Sequence, residues 1–133
     1  MQKIIELNTS KKRELVDITQ PVEEFVQNSN VKDGICVVYV PHATGALIVN
    51  ENEAGLKEDI LNFIEKLVPK NQYLHNRIDD NAEAHIVSSI IGTEKTFIIE
   101  KGELIRGTWQ NIFFVELDGP RKNRQVAIKV IKL

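Results

Sequence analysis

Ile35-Cys36-Val37-Val38-Tyr39-Val40 is an apolar run in which polar and apolar residues do not alternate. A strand with one solvated face would alternate, whereas a strand buried on both faces forms a continuous run. The stretch therefore predicts a central strand around which a sheet is built. Cys36 is the only cysteine, so it cannot form an internal disulfide. Its place in the run predicts a buried thiol rather than a nucleophile.

Segments on both sides of this run predict further strands and two or three helices. The strongest helix pattern covers residues 53–68 and ends before Pro69. Its apolar stripe consists of Leu56, Ile60, Phe63, Ile64, Leu67 and Val68. Another helix is expected to begin with Thr19 as its capping residue. Strands are predicted at 3–7, 13–18, 46–49, 96–99, 104–117 with a break at Gly107, and 125–131.

Strands dominate this pattern, and several connections have hairpin length. We therefore expect an α+β fold with a mostly antiparallel, β-sandwich-like core. The length of 133 residues fits a single domain spanning residues 1–133.

The composition excludes some classes of partner. The net charge of −2 gives no electrostatic attraction to nucleic acid or to acidic membranes. No apolar run approaches the length of a membrane span, and no basic, apolar leader opens the chain. We therefore expect a cytoplasmic protein with neither nucleic acid nor membrane as a partner.

The stretch Asp79-Asp80-Asn81-Ala82-Glu83-Ala84-His85-Ile86-Val87-Ser88-Ser89-Ile90-Ile91-Gly92 predicts a short helix. Asp80 or Asn81 is expected to cap its N-terminus, and Gly92 is expected to end it. At about 100° per residue, one face carries an amide, an imidazole and two hydroxyls, from Asn81, His85, Ser88 and Ser89. The opposite face carries Ile86, Val87 and Ile90.

Two interpretations fit this polar face. A solvated helix face normally carries Lys, Glu or Arg, so short neutral or titratable groups point to a metal, an anion or a partner surface. Alternatively, small residues pack against another element while the hydroxyls bond back to the helix. Taken by itself, this helix favours the second interpretation, in which its small residues pack against another element.

The chain has three histidines, His42, His75 and His85, and none belongs to a local metal signature. His42 follows the buried strand beside Thr44, and His75 lies in a predicted loop. Three imidazoles and a water would form an open, Lewis-acidic zinc site. For each histidine taken singly, a hydrogen-bonded structural role is the alternative.

Charged residues near strand ends are further candidates. Glu51, Glu116 and Asp118 could each orient a histidine or act as a general base, or each is an ordinary strand-end charge. Arg121 follows a Gly-Pro turn, and a guanidinium held by a rigid turn suits phosphate recognition. A solvated basic loop that includes Arg124 is the alternative.

Gly107-Thr108-Trp109-Gln110 contains the only tryptophan. At a strand opening, this run could place the Thr108 and Gln110 side chains over a pocket floored by the indole of Trp109. More commonly such a tryptophan is an anchor in a core or an interface.

Together these pieces resemble the YjbQ-type family, often labelled secondary thiamine-phosphate synthase enzyme. The resemblance extends from about Leu15 to Val130 with the motifs in the same order. The motifs are His42-x-Thr44, Asn50-Glu51, Tyr73-x-His75-Asn76, Asp80-Asn81-Ala82-x-Ala84-His85, Ser88-Ser89, Gly92, Gly102-x-Leu104, Gly107-Thr108-Trp109-Gln110 and Asp118-Gly119-Pro120-Arg121.

The resemblance implies a homotrimer of α+β domains, with a site for a divalent metal or an anion near subunit boundaries. The leading hypothesis is an enzyme that joins a pyrimidine diphosphate to a thiazole phosphate. A divalent cation, expected to be zinc, would be held by His42, His75 and His85 and would neutralise the departing pyrophosphate. The expected catalytic residues are Glu51, His85, Glu116 and Arg121. The expected substrate- or anion-binding residues are Thr44, Asn81, Ser88, Ser89, Thr108, Trp109, Gln110 and Arg121.

Two other interpretations use the same residues. The protein could be a non-enzymatic trimeric module that binds a metal, a phosphate or a small metabolite. Alternatively, the hydroxyls and the histidines pair across subunits and only hold the trimer together.

Overall fold

In the computed structural model, which describes residues 1–133, helices separate two pairs of strands from each other and from four strands at the end of the chain. The strands are β1 (Gln2–Leu7), β2 (Glu14–Asp17), β3 (Gly34–Tyr39), β4 (Gly45–Asn50), β5 (Glu94–Glu100), β6 (Glu103–Leu104), β7 (Asn111–Glu116) and β8 (Arg124–Lys132). The helices are α1 (Thr19–Asn28), α2 (Ala54–Leu67) and α3 (Ala82–Ile91), with a 3-10 turn at Leu74–Arg77. All strand pairs are antiparallel, which confirms the predicted α+β class.

β3 lies at the centre of a five-stranded sheet with the order β1-β8-β3-β5-β6. Cys36 and Val38 lie in the core with no exposed surface. Burial raises the pKa of the Cys36 thiol to about 11. Tyr39, at the end of the strand, is 46% exposed. The prediction of a central strand is confirmed, but burial of the whole run on both faces is wrong.

The strand buried on both faces is β7, the middle strand of a second sheet with the order β2-β7-β4. Residues 112–116 are at most 1% exposed. Ile112 and Phe114 pack in the main core with residues of the five-stranded sheet and α1. Val115 packs in a second cluster with residues of α2 and α3. The fold therefore has three layers: the large sheet, the small sheet, and the layer of α2 and α3.

α2 begins after Glu53, whose carboxylate accepts hydrogen bonds from two first-turn amides at 2.6 and 2.8 Å. It ends before Pro69, as predicted. Within the helix only Ile64 of the apolar stripe is buried, and Phe63 is 65% exposed. The predicted stripe is therefore only partly covered by this chain. No helix has both the length and the hydropathy that crossing a bilayer requires.

The start of α1 differs from the prediction. The helix begins at Thr19, but the capping group is the carboxylate of Asp17, which accepts from the Thr19 amide at 2.9 Å. The Thr19 hydroxyl donates to the same carboxylate at 2.6 Å and accepts from the Ile112 amide at 2.8 Å. Thr19 therefore links α1 to β7 instead of capping its own helix.

Gly34 opens β3 where no side chain fits. A Cβ at this position would lie 2.1 Å from the carbonyl oxygen of Ile131 on the adjacent β8, so backbone would have to move. We expect Gly34→Ala to lower the free energy of unfolding by about 1–3 kcal/mol, as overpacking does. Urea denaturation measures this change. Gly107→Ala is the control, since its Cβ would only touch the Gln110 side chain at 3.4 Å, and a shift within about 0.5 kcal/mol is expected.

Candidate functional site

A cleft of about 350 Å³ opens between the turn before β4 and the polar face of α3. Its lining residues are His42, Ala43, His85, Ser88, Ser89, Gly92 and Thr93. Ala43 is the hydrophobic member of this set, and no carboxylate belongs to it. The fold therefore brings two of the three histidines and both serines to one place.

The two serines of the cleft are held differently. Ser88 is buried, and its hydroxyl donates to the carbonyl of Gly45 on β4 at 2.7 Å. Ser89 is exposed, and its hydroxyl donates to the His85 carbonyl one turn earlier at 2.9 Å. Each hydroxyl therefore already has an acceptor, but only Ser89 bonds back to its own helix as the packing interpretation expects. The oxygen lone pairs of both can still accept.

The start of α3 is capped from outside the helix. The Ala82 amide donates to Oδ1 of Asn76 at 3.0 Å, so the prediction that Asp80 or Asn81 supplies the capping side chain is wrong. The helix ends before a glycine with φ of 95°, as expected for the predicted glycine stop. Ile90, predicted on the apolar face, is 59% exposed.

Asn81 is buried and instead forms the middle of a hydrogen-bond chain. Its Oδ1 lies 2.8 Å from Nε2 of His75, and its Nδ2 donates to Oδ2 of Asp118 at 2.8 Å. Arg121 donates to the same Asp118 oxygen at 2.7 Å. Burial raises the pKa of Asp118, but the hydrogen bonds from Asn81 and Arg121 outweigh it and hold that pKa below its ordinary value.

The chain places His75 beside the cleft. The ring centroids of His75 and His85 are 4.5 Å apart, and the rings meet edge to face at 68°. Because His85 also lines the cleft together with His42, all three imidazoles belong to one region of the molecule. The three histidine motifs, which are distant along the chain, therefore meet in space.

His42 is held by a backbone group. The amide of Gln125, in β8, donates to His42 Nε2 at 2.8 Å. Burial and the positive charge of Arg124 lower the pKa of His42, and Arg121 adds to this, while Glu116 opposes it. The amide needs a lone pair on Nε2, so His42 is held as a neutral imidazole with its proton on Nδ1.

The ring nitrogens do not form a metal site as they stand. No group of three or more His, Cys, Asp or Glu side chains in the chain is arranged to hold a metal ion. His42 Nε2 is occupied by the Gln125 amide, and its Nδ1 carries a proton. His75 Nε2 is occupied by Asn81. A zinc ion would require His42 to change its hydrogen bonding.

Glu116, a predicted catalytic residue, has no exposed surface and forms an ion pair with Arg124. Its Oε1 accepts from Thr9 Oγ1 at 2.7 Å and from Arg124 Nε at 3.0 Å. Its Oε2 accepts from Arg124 Nη2 and from the next two backbone amides at 3.0 and 3.2 Å. Burial raises the pKa of Glu116, but the hydrogen bonds from Arg124 and Thr9 outweigh it and hold that pKa below its ordinary value. With both oxygens engaged and no access to solvent, this carboxylate has a structural role and is not placed to accept a substrate proton.

The same ion pair organises the turn before β4. Arg124 Nη2 donates to the Thr44 hydroxyl at 2.9 Å and to the Thr44 carbonyl at 3.2 Å. Thr44, predicted to bind an anion, is therefore buried against the arginine. Arg124 is itself 5% exposed, so the interpretation of a solvated basic loop is wrong for this residue.

The turn that carries Asp118 and Arg121 is closely packed. Thr9 Oγ1 accepts from the Arg121 amide at 2.9 Å, which fixes the turn to the segment after β1. A Cβ on Gly119 would lie 2.1 Å from the carbonyl oxygen of Lys11, so only glycine fits there. The Arg121 side chain is 46% exposed. It is held by a constrained turn, as predicted, but it is paired with Asp118.

The other predicted residues lie at the far end of the small sheet. Gly45 pairs with Glu116 at one end of β4 and β7, and Asn50 pairs with Asn111 at the other. Six residues of strand span about 17 Å. The residues at the far end are Glu51, which follows β4, and Thr108, Trp109 and Gln110, which precede β7.

These far-end residues do not build the predicted pocket over an indole floor. Trp109 is 69% exposed. Gln110 turns back to accept from the Gly107 amide at 2.7 Å. Within one chain, this end of the sheet is separate from the histidine cleft.

Sequence reasoning assigned no role to Asn76 or Thr9 and placed Arg124 in a basic loop. It named Asp118 as a carboxylate that could orient a histidine or act as a general base, with an ordinary strand-end charge as the alternative. Asn76 and Asp118 belong to the family motifs quoted in the sequence analysis. The sequence therefore identified these residues but not the groups to which they form hydrogen bonds. Arg124 and Thr9 had no local signal, because their partner Glu116 is brought to them only by the packing of the small sheet against the large one.

The fold and the site together define a class: a two-sheet α+β domain with a polar, histidine-lined cleft at one end of its smaller sheet. The family model described as UPF0047 protein YjbQ-like matches residues 3–133. The chain belongs to this family, which confirms the resemblance found in the sequence.

Relatives and solved structures match over nearly the full chain. A UPF0047 protein of Archaeoglobus fulgidus is 48% identical over 126 residues, which cover 94% of this chain and 97% of that protein. The UPF0047 protein YugU of Bacillus subtilis is 38% identical over 132 residues, with 98% and 99% coverage. A crystal structure from Sulfolobus solfataricus, described as a YbjQ-like protein of unknown function, superposes with a TM-score of 0.98 at 46% identity. That superposition covers 100% of this chain and 97% of the other.

Glu116→Gln tests the buried ion pair. The amide keeps the shape of the carboxylate but leaves the Arg124 charge buried without a counter-charge. We expect a loss of about 3–5 kcal/mol in the free energy of unfolding. Urea denaturation measures this loss. Glu103→Gln, on the exposed edge strand β6, is the control and should stay within about 0.5 kcal/mol of the wild type.

The same variant is expected to change the response to acid. The pKa of Glu116 is lower in the folded chain than in the unfolded chain, so its stabilisation is complete above the unfolded pKa and is lost as the pH falls through the folded pKa. Stability measured from neutral pH into this acidic range should therefore fall less steeply for Glu116→Gln than for the wild type. Equal slopes would contradict the lowered pKa.

Proposed function

We propose that the cleft binds the phosphate group of a phosphorylated small molecule. The observation that carries this proposal is the chemistry of the lining, which offers imidazoles and hydroxyls but no carboxylate. Imidazole N–H groups can donate hydrogen bonds to phosphate oxygens, whereas the Ser88 and Ser89 hydroxyls already donate to backbone carbonyls. A cation in the same place would meet no counter-charge, so the lining favours an anion.

The charges around the cleft support an anionic ligand. Besides burial, the positive charges of Arg124 and Arg121 lower the pKa of His42, and Glu116 opposes them. Arg121 uses Nε and Nη2 on Asp118, which leaves Nη1 without a hydrogen-bond partner in the chain. A half-exposed guanidinium with free donors is a suitable second contact for a phosphate group.

The more specific proposal is an enzyme of the thiamine-phosphate synthase type, which joins a pyrimidine diphosphate to a thiazole phosphate. This reaction needs charge stabilisation on the departing pyrophosphate. His42 and Arg121 would supply it, and His85 would lie within the same cleft. Ser88 and Ser89 would orient the ligand through their oxygen atoms.

A specific observation favours the second candidate function, a protein that binds the ligand without converting it. Both carboxylate oxygens of Glu116 are engaged by its ion pair with Arg124, and Glu51 lies at the far end of the small sheet. The cleft therefore has no carboxylate base of its own, and proton transfer would fall to the imidazoles. The same ligand would bind to such a protein without being converted.

We also propose that the protein forms the predicted homotrimer, because several large apolar side chains are exposed in the single chain. The side chains with the largest exposed fractions include Phe63, Leu74, Ile78, Ile90, Ile98 and Trp109. Of these, Phe63 lies with Ile60, Leu67 and Ile91 in an apolar groove, and exposed apolar patches of this kind mark interaction surfaces. Light scattering coupled to size-exclusion chromatography is expected to give three times the 15.1 kDa mass of the chain, and a mass of 15.1 kDa would contradict the trimer.

Zinc bound by His42, His75 and His85 stays a prediction. Its test is metal analysis of protein purified without chelator, together with a variant in which all three histidines are alanine. If zinc binds these side chains, the wild type carries about one equivalent and the triple variant carries none. Equal metal content in the two proteins would contradict the assignment.

Pyrophosphate binding tests the main proposal. We expect titration calorimetry to detect binding of inorganic pyrophosphate to the wild type, weakened about tenfold to a hundredfold by His42→Ala or Arg121→Ala, because each removes a hydrogen-bond donor to a charged ligand. Lys129→Ala removes a positive charge farther along β8 and is the matched control, expected to bind like the wild type. Equal affinities for all four proteins would contradict the site.

Turnover then separates the enzyme from the binding protein. The wild type is incubated with the pyrimidine diphosphate and the thiazole phosphate, and the release of pyrophosphate is followed. Release that His85→Ala abolishes supports the synthase. Ligand that stays bound and unconverted supports the binding protein.

A further inference from the structure

His42 and His75 are each hydrogen-bonded through Nε2, but to groups of opposite kind. His42 faces a backbone amide, which can only donate. His75 faces an amide oxygen, which can only accept. In each neutral ring one nitrogen is a donor and the other an acceptor, so these partners decide where each proton lies.

The orientation of the Asn81 amide follows from its second partner. Asp118 is ionised at neutral pH, so its Oδ2 only accepts and must face the Asn81 nitrogen. Arg121 donates to the same oxygen and holds the carboxylate in place. A flipped Asn81 would set its oxygen against a carboxylate oxygen. The amide oxygen therefore faces His75, and His75 carries its proton on Nε2.

We infer that Asp118 and Asn81 are positioning residues that hold His75 with an unprotonated Nδ1, while the Gln125 amide holds His42 with a protonated Nδ1. Neither Nδ1 atom has a hydrogen-bond partner within the chain. The site therefore presents an Nδ1–H on His42 that can donate a hydrogen bond and an Nδ1 on His75 that can accept one.

This division of roles, which rests on the proposed phosphate-binding function, deepens it. His42 Nδ1–H becomes the donor to a phosphate oxygen. His75 Nδ1, beside the cleft, becomes a hydrogen-bond acceptor. Backbone and carboxylate partners set the two tautomers separately, so both roles exist together. The site thus fits a phosphorylated ligand that also carries a hydrogen-bond donor.

Nitrogen-15 NMR of the uniformly labelled protein tests the inference. Two-bond proton–nitrogen correlations distinguish protonated from unprotonated ring nitrogens. The spectra are recorded without ligand at a pH of about 8.5, about two units above the ordinary imidazole pKa. Three histidines give three patterns, assigned by replacing one histidine at a time. We expect Nδ1–H for His42 and Nε2–H for His75.

Two variants separate positioning from a general structural effect. Asp118→Ala removes the anchor of the Asn81 amide, so the His75 nitrogens should shift toward the averaged values of exchanging tautomers. Lys122→Ala, an exposed residue of the same turn outside this hydrogen-bond chain, is the matched control and should keep the Nε2–H pattern. His42 should keep Nδ1–H in both variants, and this also verifies that the fold is intact.

A His75 proton on Nδ1 in the wild type would overturn the inference, as would a His75 pattern unchanged in a folded Asp118→Ala. Pyrophosphate titration of the same samples keeps the two proposals apart. The expected tautomers without any pyrophosphate binding would contradict the proposed function and leave the positioning roles standing. Binding together with the wrong tautomers would contradict only the positioning roles.

Discussion

The buried ion pair between Glu116 and Arg124 is the interaction on which the site depends. Glu116 ends β7 in the small sheet, and Arg124 begins β8 in the large sheet, so the pair joins the two layers. Removing two charges from water is costly, and it is sustained only when the remaining polar groups are satisfied. Here Thr9, Thr44 and backbone amides complete the hydrogen bonding, and no buried side-chain polar atom lacks a partner.

The groups that shape the cleft are the chain neighbours of this pair. Gln125 follows Arg124 and donates its amide to His42. Asp118 lies two residues after Glu116 and anchors Asn81. Two histidine rings are thus aligned by residues on either side of one ion pair. A residue that looks catalytic in the sequence therefore serves the site by fixing the backbone around it.

The sequence predicts the fold well, because strand patterns and glycine or proline stops act locally. The strand segment predicted over residues 104–117 appears as β6 and β7, with β7 ending at Glu116, and the helix ends before Pro69 as expected. The depth of burial was less predictable, because it depends on which layer covers a strand. The run at Ile35 suggested full burial, yet β7 is the strand enclosed on both faces.

The sequence predicted which residues belong to the site, but not which of them form hydrogen bonds with one another. The three histidines do converge, as the family motifs implied. The side on which a ring nitrogen carries its proton depends on Asp118 and Gln125, which no spacing rule connects to a histidine. Trp109 lies outside the cleft, because its motif precedes β7 whereas the cleft lies beyond the other end of that strand.

The single thiol, Cys36, can report how often the core of this protein opens. Cys36 has no exposed surface and lies between two hydrogen-bonded strands, and its raised pKa leaves little thiolate at neutral pH. A thiol reagent reaches it only when the central sheet separates from the layer beneath. The labelling rate therefore reports the population of molecules whose core has come apart, without any added chromophore.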